Sequence, residues 1–201
     1  GTHYVARFVV TDIYGEGGFS SNEADRKFLL HPEAFAPYPY APERLRALYM
    51  NALDLKFADN AFDFAICLSS IEHFGGLDAA TQALGEMRRV VKPGGAIVVM
   101  TECVLNGNNS VGFFLPHDIQ SLVAMSGLEL IEDIDWSLSD DTLKYLCDMR
   151  KGDLNALPHI NLTADGAIWT SISLVFRKQA ESDTGARRQV PHCSLLGTDL
   201  Q

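Results

Sequence analysis

The stretch from Asp63 to Thr101 constrains the fold more than any other part of this chain, because it reads as strand, turn, helix, turn and strand in unbroken succession. Asp63-Phe64-Ala65-Ile66-Cys67-Leu68 is an apolar run closed by Ser69-Ser70. After the Gly75-Gly76 turn the period becomes helical, with Ala80, Ala83, Leu84, Met87 and Val91 on one face. Asp78 is the expected N-cap, and Arg88, Arg89 and Lys92 suit the negative end of the helix dipole as a solvated helix end. Pro93-Gly94-Gly95 is expected to stop the helix before a strand over Ala96 to Thr101.

The same alternation extends outward. Phe8 to Ile13 is a short β-branched run ending at Thr11-Asp12, as a buried parallel strand ends at a polar edge. A turn over Tyr14 to Gly18, a helix over Ser20 to Leu30, a Pro-rich loop over His31 to Pro42 and a strand over Leu45 to Met50 follow. On the far side the pattern predicts a helix over Pro116 to Ser126 stopped by Gly127, a strand over Leu128 to Trp136 and a helix over Asp140 to Arg150. Ile168 to Phe176 interleaves apolar and hydroxyl residues, which suits a late antiparallel strand. Such a chain calls for an α/β fold: a mostly parallel sheet with helices on both faces, its ligands bound beyond the carboxyl ends of the strands. Site residues are therefore sought just after each strand.

At 201 residues and 47% hydrophobic content, one domain is expected over residues 1–178, with a disordered polar tail from Gln179. The formal charge of −10 argues against a phosphate-binding face, so nucleic acid is not an expected partner. Cys67, Cys103, Cys147 and Cys193 form no C-x-x-C pair and are read as reduced thiols, and the histidines lack ligand spacing, so no metal is expected. No apolar run reaches membrane-spanning length and the first residues do not resemble a signal peptide; a soluble, cytoplasmic protein is expected.

Three segments carry a family resemblance. Asn51-Ala52-Leu53-Asp54-Leu55-Lys56-Phe57-Ala58-Asp59-Asn60-Ala61-Phe62-Asp63 is similar to a D-A-x-x-L-P-F-x-D-x-S-F-D passage. Ser69-Ser70-Ile71-Glu72-His73-Phe74 and Glu86-Met87-Arg88-Arg89-Val90-Val91-Lys92-Pro93-Gly94-Gly95 follow at matching spacing. Together they resemble the class I, Rossmann-like methyltransferases that depend on S-adenosylmethionine, over roughly Phe8 to Lys178 and most strongly from Asn51 to Glu102. The resemblance implies S-adenosylmethionine as cofactor and methyl transfer to a small-molecule or sugar-like acceptor. It implies that Asp12, with Ile13 beside it, holds the ribose hydroxyls, a task suited to a carboxylate that accepts two hydrogen bonds. It places Asn51 and Ala52, with Leu53 following, at the adenine, although Asn stands where the family often has Asp. Leu68 and Ser69 correspond to positions lining the methionine moiety.

The family's opening strand and glycine-rich turn are not found before Phe8, so the chain is expected to begin after them, with the first strand missing. A rival register lays Asp12 to Gly18 over that turn, but it puts Tyr14 and Glu16 where glycines belong and leaves too little chain before Asn51. With Asp12 as the acid of the second strand, the strands at Phe8 and Asp63 would flank a gap, at roughly 1–3 kcal/mol for each unsatisfied buried group. A partner chain, a second copy or another segment could close it.

Glu72 and His73 lie just beyond a strand end, where either could take a proton from an acceptor; the plainer reading is that they shape the loop. Asp12 and Asn51 could merely start turns, and Gly15, Gly17 and Gly18 read better as a flexible turn than as a phosphate cradle. His117 and His159 suit a helix start and a loop turn, and Phe35, Tyr38 and Tyr40 suit a packed Pro-rich loop better than a substrate lid. Trp136 and Trp169 read as core or interface. The rival functions are a non-catalytic or degenerate module of the same fold and, more weakly, a nicotinamide-dependent oxidoreductase.

Overall fold

The computed structural model describes residues 4–14, 26–36, 38–151 and 161–180. Gly15, Gly17, Gly18, the start of the helix expected from Ser20, His159, Cys193 and the tail beyond Ala180 lie outside the described residues.

β1 (Phe8–Asp12) and β2 (Leu45–Tyr49) pair in parallel, from Phe8 opposite Leu45 to Asp12 opposite Tyr49. A short helix, α1 (Lys27–Leu30), packs beside β2. The remaining elements are β3 (Phe62–Leu68), α2 (Leu77–Val90), β4 (Val91–Val104), α3 (Pro116–Met125), β5 (Glu129–Leu130), α4 (Asp140–Lys144), β6 (Leu146–Asp148), β7 (Asn161–Ala164) and β8 (Ala167–Arg177). Six of them build a second sheet in the order β3-β4-β8-β7-β6, with β5 also on β8. The β3–β4 and β6–β7 pairs are parallel, and β8 runs antiparallel to β4, as the interleaved sequence predicts for a late strand. The fold is mixed α/β and Rossmann-like.

β1 lies against β2, and among the described residues no strand joins β1 to β3. Asp12 closes the strand next to the one that leads to Asn51.

The period-two pattern of β4 and β8 places Ile97, Val99, Cys103, Leu174 and Phe176 on one face. There they bury against Ala80, Leu84 and Met87 of α2 and Ile119, Leu122 and Val123 of α3. On the opposite face Ile66, Leu68 and Met100 remain 46%, 57% and 38% exposed.

Several boundaries differ from expectation. Gly76, at φ 94°, caps α2, because the chain must turn through a left-handed conformation that glycine adopts without strain; Asp78 falls in the first turn instead. Pro93-Gly94-Gly95 does not stop the helix, which ends at Val90; it forms a bulge inside β4, where pairing jumps from Phe62–Val91 to Phe64–Ala96. The strand expected to run to Trp136 contracts to Glu129–Leu130, with charged Glu132, Asp133 and Asp135 beyond it. The helix expected to reach Arg150 ends at Lys144, because Leu146–Asp148 pairs with β7 and tertiary pairing overrides local propensity.

Candidate functional site

The carboxyl ends of the parallel strands carry the candidate residues. Asp12 ends β1, and the Met50 N–H donates to its carbonyl at 3.0 Å, extending the ladder one residue beyond β2. Asn51 therefore emerges at the same rim as Asp12. Each polar side chain also starts a turn: Asp12 Oδ1 accepts the Tyr14 N–H at 2.7 Å, and Asn51 Oδ1 accepts the Leu53 N–H at 2.9 Å. These bonds fix the orientation of both groups while leaving further acceptor capacity on each. Ile13, Ala52 and Leu53 are half-buried beside them.

The loop carrying Asn51 is held by α2. Arg89 donates to the Phe57 carbonyl at 2.7 Å, the Leu55 carbonyl at 2.6 Å and Asp59 at 2.8 Å, and pairs with Glu86 at 2.8 Å. Glu86 in turn accepts the Leu55 N–H at 2.7 Å, and Gln82 donates to the Leu53 carbonyl at 2.9 Å. Arg89 is thus a clasp rather than the solvated helix end that its position suggests. Its hydrogen bonds to Glu86, outweighing partial burial, hold the Glu86 carboxyl below its usual range.

At the end of β3, Leu68 and Ser69 are exposed, and Ser69 sits at φ 43° with its N–H donating to the Met100 carbonyl at 2.8 Å. A left-handed non-glycine residue at a strand end is strained, and such positions gather at functional sites. A 3-10 turn over Ile71–His73 follows and separates the two proton-transfer candidates. His73 is exposed and meets the Phe113 ring edge-on at 5.7 Å; Phe113 meets Trp169 at 5.4 Å. Glu72 turns inward, only 5% exposed, and accepts the Thr101 hydroxyl at 2.8 Å. Burial, with Glu72 nearby, pushes the Cys67 thiol up to about 12.

One neighbour escaped the sequence reading. Glu102, immediately after Thr101, accepts the Ser171 hydroxyl at 2.8 Å, and burial raises its carboxyl above the usual range. The rule of searching beyond each strand end points to it, since the sequence predicts a strand end at Thr101; in the structure β4 runs on to Val104 and Glu102 lies inside it.

The remaining aromatic and histidine candidates take structural positions. Phe35 packs edge-on against Phe28 at 5.9 Å, while Tyr38 and Tyr40 line an open cleft with Glu33. Trp136 packs against the main core and Trp169 is buried in a second cluster with Val104 and Ala167. His117 lies in the first turn of α3, exposed, 3.5 Å from Asp118. Among the described residues no group of His, Cys, Asp and Glu could hold a metal ion, and no helix is long and apolar enough to cross a membrane.

A family model described as a methyltransferase domain matches residues 30–99. An uncharacterized protein of Methanocaldococcus jannaschii is 38% identical over 55 residues, which span 27% of this chain and 23% of that protein. Among solved structures, a SAM-dependent methyltransferase of Methanosarcina mazei superposes with a TM-score of 0.54 at 15% identity, covering 86% of this chain and 82% of that one. The YcgJ protein of Bacillus subtilis gives 0.53 at 16% identity, covering 89% and 85%. The [4+2]-cyclase SpnF gives 0.52 at 15%; the match covers 86% of this chain and spans 66% of the cyclase's length. The strand pairing, the shared rim of Asp12 and Asn51, and the methyltransferase-domain match identify the chain as having the class I, Rossmann-like methyltransferase fold.

Proposed function

We propose that this protein transfers a methyl group from S-adenosylmethionine to an oxygen, nitrogen or carbon of a small-molecule or sugar-like acceptor. The observation that supports this most is the emergence of Asp12 and Asn51 from adjacent parallel strands at one rim, where a single nucleoside can span them. The donor set suits that ligand: a carboxylate accepts a vicinal diol, and an amide both accepts from an adenine amino group and donates to a ring nitrogen. Asp12 holds the ribose with Ile13 beside it; Asn51, Ala52 and Leu53 receive the adenine; Leu68 and Ser69 line the methionine end.

S-adenosylmethionine supplies the electrophilic methyl when bound, so the protein's task is chiefly alignment. His73, exposed at the end of β3, is the group placed to accept a proton from the acceptor. Glu72 holds its turn against β4 through Thr101. No basic surface or nucleic-acid acceptor is needed for this reading, in keeping with the charge of −10.

A second reading, a binding or assembly module of the same fold, is favoured by one observation: among the described residues β1 and β2 pair as a sheet separate from the one that holds β3. The solved cyclase also shows that likeness to this fold does not by itself specify methyl transfer. Calorimetric titration with S-adenosylmethionine, followed by labelled-methyl incorporation into a panel of amines, alcohols and sugars, separates the two. Binding with incorporation is expected; absence of both favours the module.

A further inference from the structure

We propose that a surface cleft at the opposite end of β3 from Leu68 and Ser69 binds the phosphate group of a small phosphorylated ligand. The cleft, about 270 Å³, is lined by Asp59, Asn60, Gly85, Arg88, Arg89 and Lys178. Asn60 precedes β3, Gly85 and the two arginines lie in the second half of α2, and Lys178 follows β8. The site is therefore separate from the nucleoside rim and does not rest on the methyl-transfer reading.

The three cations of the cleft are committed to different degrees. Arg89 is spent on Glu86, Asp59 and the carbonyls of Leu55 and Phe57. Lys178 Nζ donates to Asn60 Oδ1 at 2.7 Å, to the Val91 carbonyl at 2.8 Å and to the Arg89 carbonyl at 3.5 Å. It thereby masks the negative end of α2, which would otherwise repel an anion, and all three of its acceptors are uncharged. Asn60 Oδ1 being taken, the amide N–H groups of that side chain are left as donors. Arg88 pairs with no carboxylate or carbonyl among the described residues. Its guanidinium rests on Gly127, where a Cβ would lie 2.8 Å from Nη1. Three cations thus stand against the carboxylates of Asp59 and Glu86, a local reversal of sign in a chain of charge −10. Gly85 adds a separate clue. Glycine weakens a helix interior, yet no neighbour lies within 4 Å of a Cβ placed there, so packing does not require it; its bare backbone keeps the cleft open. A guanidinium fork and an amide reach from two elements and the ammonium adds charge, which suits the three oxygens and the greater charge of a phosphate better than a carboxylate. Asp59, exposed beside them, restricts the site to a compact anion.

The test is an NMR titration of the full chain with inorganic phosphate at low ionic strength, run beside sodium acetate and sodium chloride. Saturable shifts are expected at the Asn60, Gly85 and Lys178 amides with phosphate, and acetate should bind at least about tenfold more weakly. Arg88→Gln should weaken phosphate binding by about tenfold or more. Gly85→Glu places a carboxylate in the cleft and a better helix former in α2, so it should abolish saturation without lowering Tm. Both positions are exposed, so neither substitution disturbs the core. Shifts that chloride reproduces at matched ionic strength would reduce the effect to screening and overturn the proposal. Equal affinity for acetate, or phosphate affinity unchanged in either variant, would overturn it as well.

Discussion

Met50 donates its backbone N–H to the carbonyl of Asp12 at 3.0 Å, and this bond ties the end of β1 to the residue preceding Asn51. Because the ladder fixes five residue pairs before it, the two rim groups move as parts of one ribbon. A slip of one residue would turn both side chains to the other face, so register is a property of the site as well as of the fold.

Arg89→Met should free the loop that carries Asn51. The guanidinium serves two carbonyls and two carboxylates at once, which a single ammonium cannot reproduce, so Arg89→Lys should not rescue it. Amide hydrogen exchange at Leu55 should accelerate by about tenfold or more in both variants, with a lower Tm. Unchanged protection at Leu55 would show that the loop holds itself.

The same clasp sets a pH dependence. Hydrogen bonding to Arg89 depresses the folded-state value of Glu86, so its stabilisation is complete above the unfolded carboxyl value, about 4.3, and is lost as pH falls through the lower folded value. The Tm difference between the unaltered protein and Glu86→Gln should be constant near neutrality and shrink below about pH 4. A difference that persists at pH 2 would assign the effect to packing.

Gly95 is closed to any side chain: a Cβ there would lie 2.5 Å from the Asp63 carbonyl oxygen and 2.6 Å from Val91 Cγ1. Gly94, at φ 79°, has open space but a left-handed backbone. Urea unfolding should show Gly95→Ala costing about 1–3 kcal/mol by overpacking and Gly94→Ala about 1 kcal/mol by backbone strain. The reverse order would mean that the bulge yields more readily than its contacts suggest.

Cys67 and Cys103 should resist alkylation in the folded protein. Burial leads the causes that push their thiols up to about 12 and about 11, leaving almost no thiolate at neutral pH. Mass spectrometry after brief iodoacetamide treatment should find both unmodified, and both labelled once urea is added. Rapid labelling of Cys67 in the native protein would imply that the end of β3 opens.

Much of this was legible from residue pattern alone. The strand, helix and strand from Phe62 to Val104, and the late strand at Ala167–Arg177, announce themselves because one-sided burial leaves a period in the sequence. The rim positions of Asp12 and Asn51 were legible because a polar residue follows each apolar run, whereas the ligand roles proposed for them come from the family resemblance. The role of Pro93-Gly94-Gly95 was not, since a helix stop and a strand bulge use the same residues and only pairing with Phe62 and Phe64 distinguishes them. Nor was the clasp of Arg89, which depends on carbonyls more than thirty positions upstream. Glu102 stands just past the strand end expected at Thr101, but its pairing with Ser171, 69 positions downstream, leaves no local signal.

The most direct measurement is the affinity of S-adenosylhomocysteine for the unaltered protein and for Asp12→Asn. That substitution keeps an oxygen for the Tyr14 turn while removing the charge offered to a diol. Calorimetry should find binding in the unaltered protein and a loss of about tenfold or more, roughly 1.4 kcal/mol, in the variant, with Tm nearly unchanged. Equal affinity in the two proteins would contradict the assignment of Asp12 to the ribose and, with it, the nucleoside site at this rim.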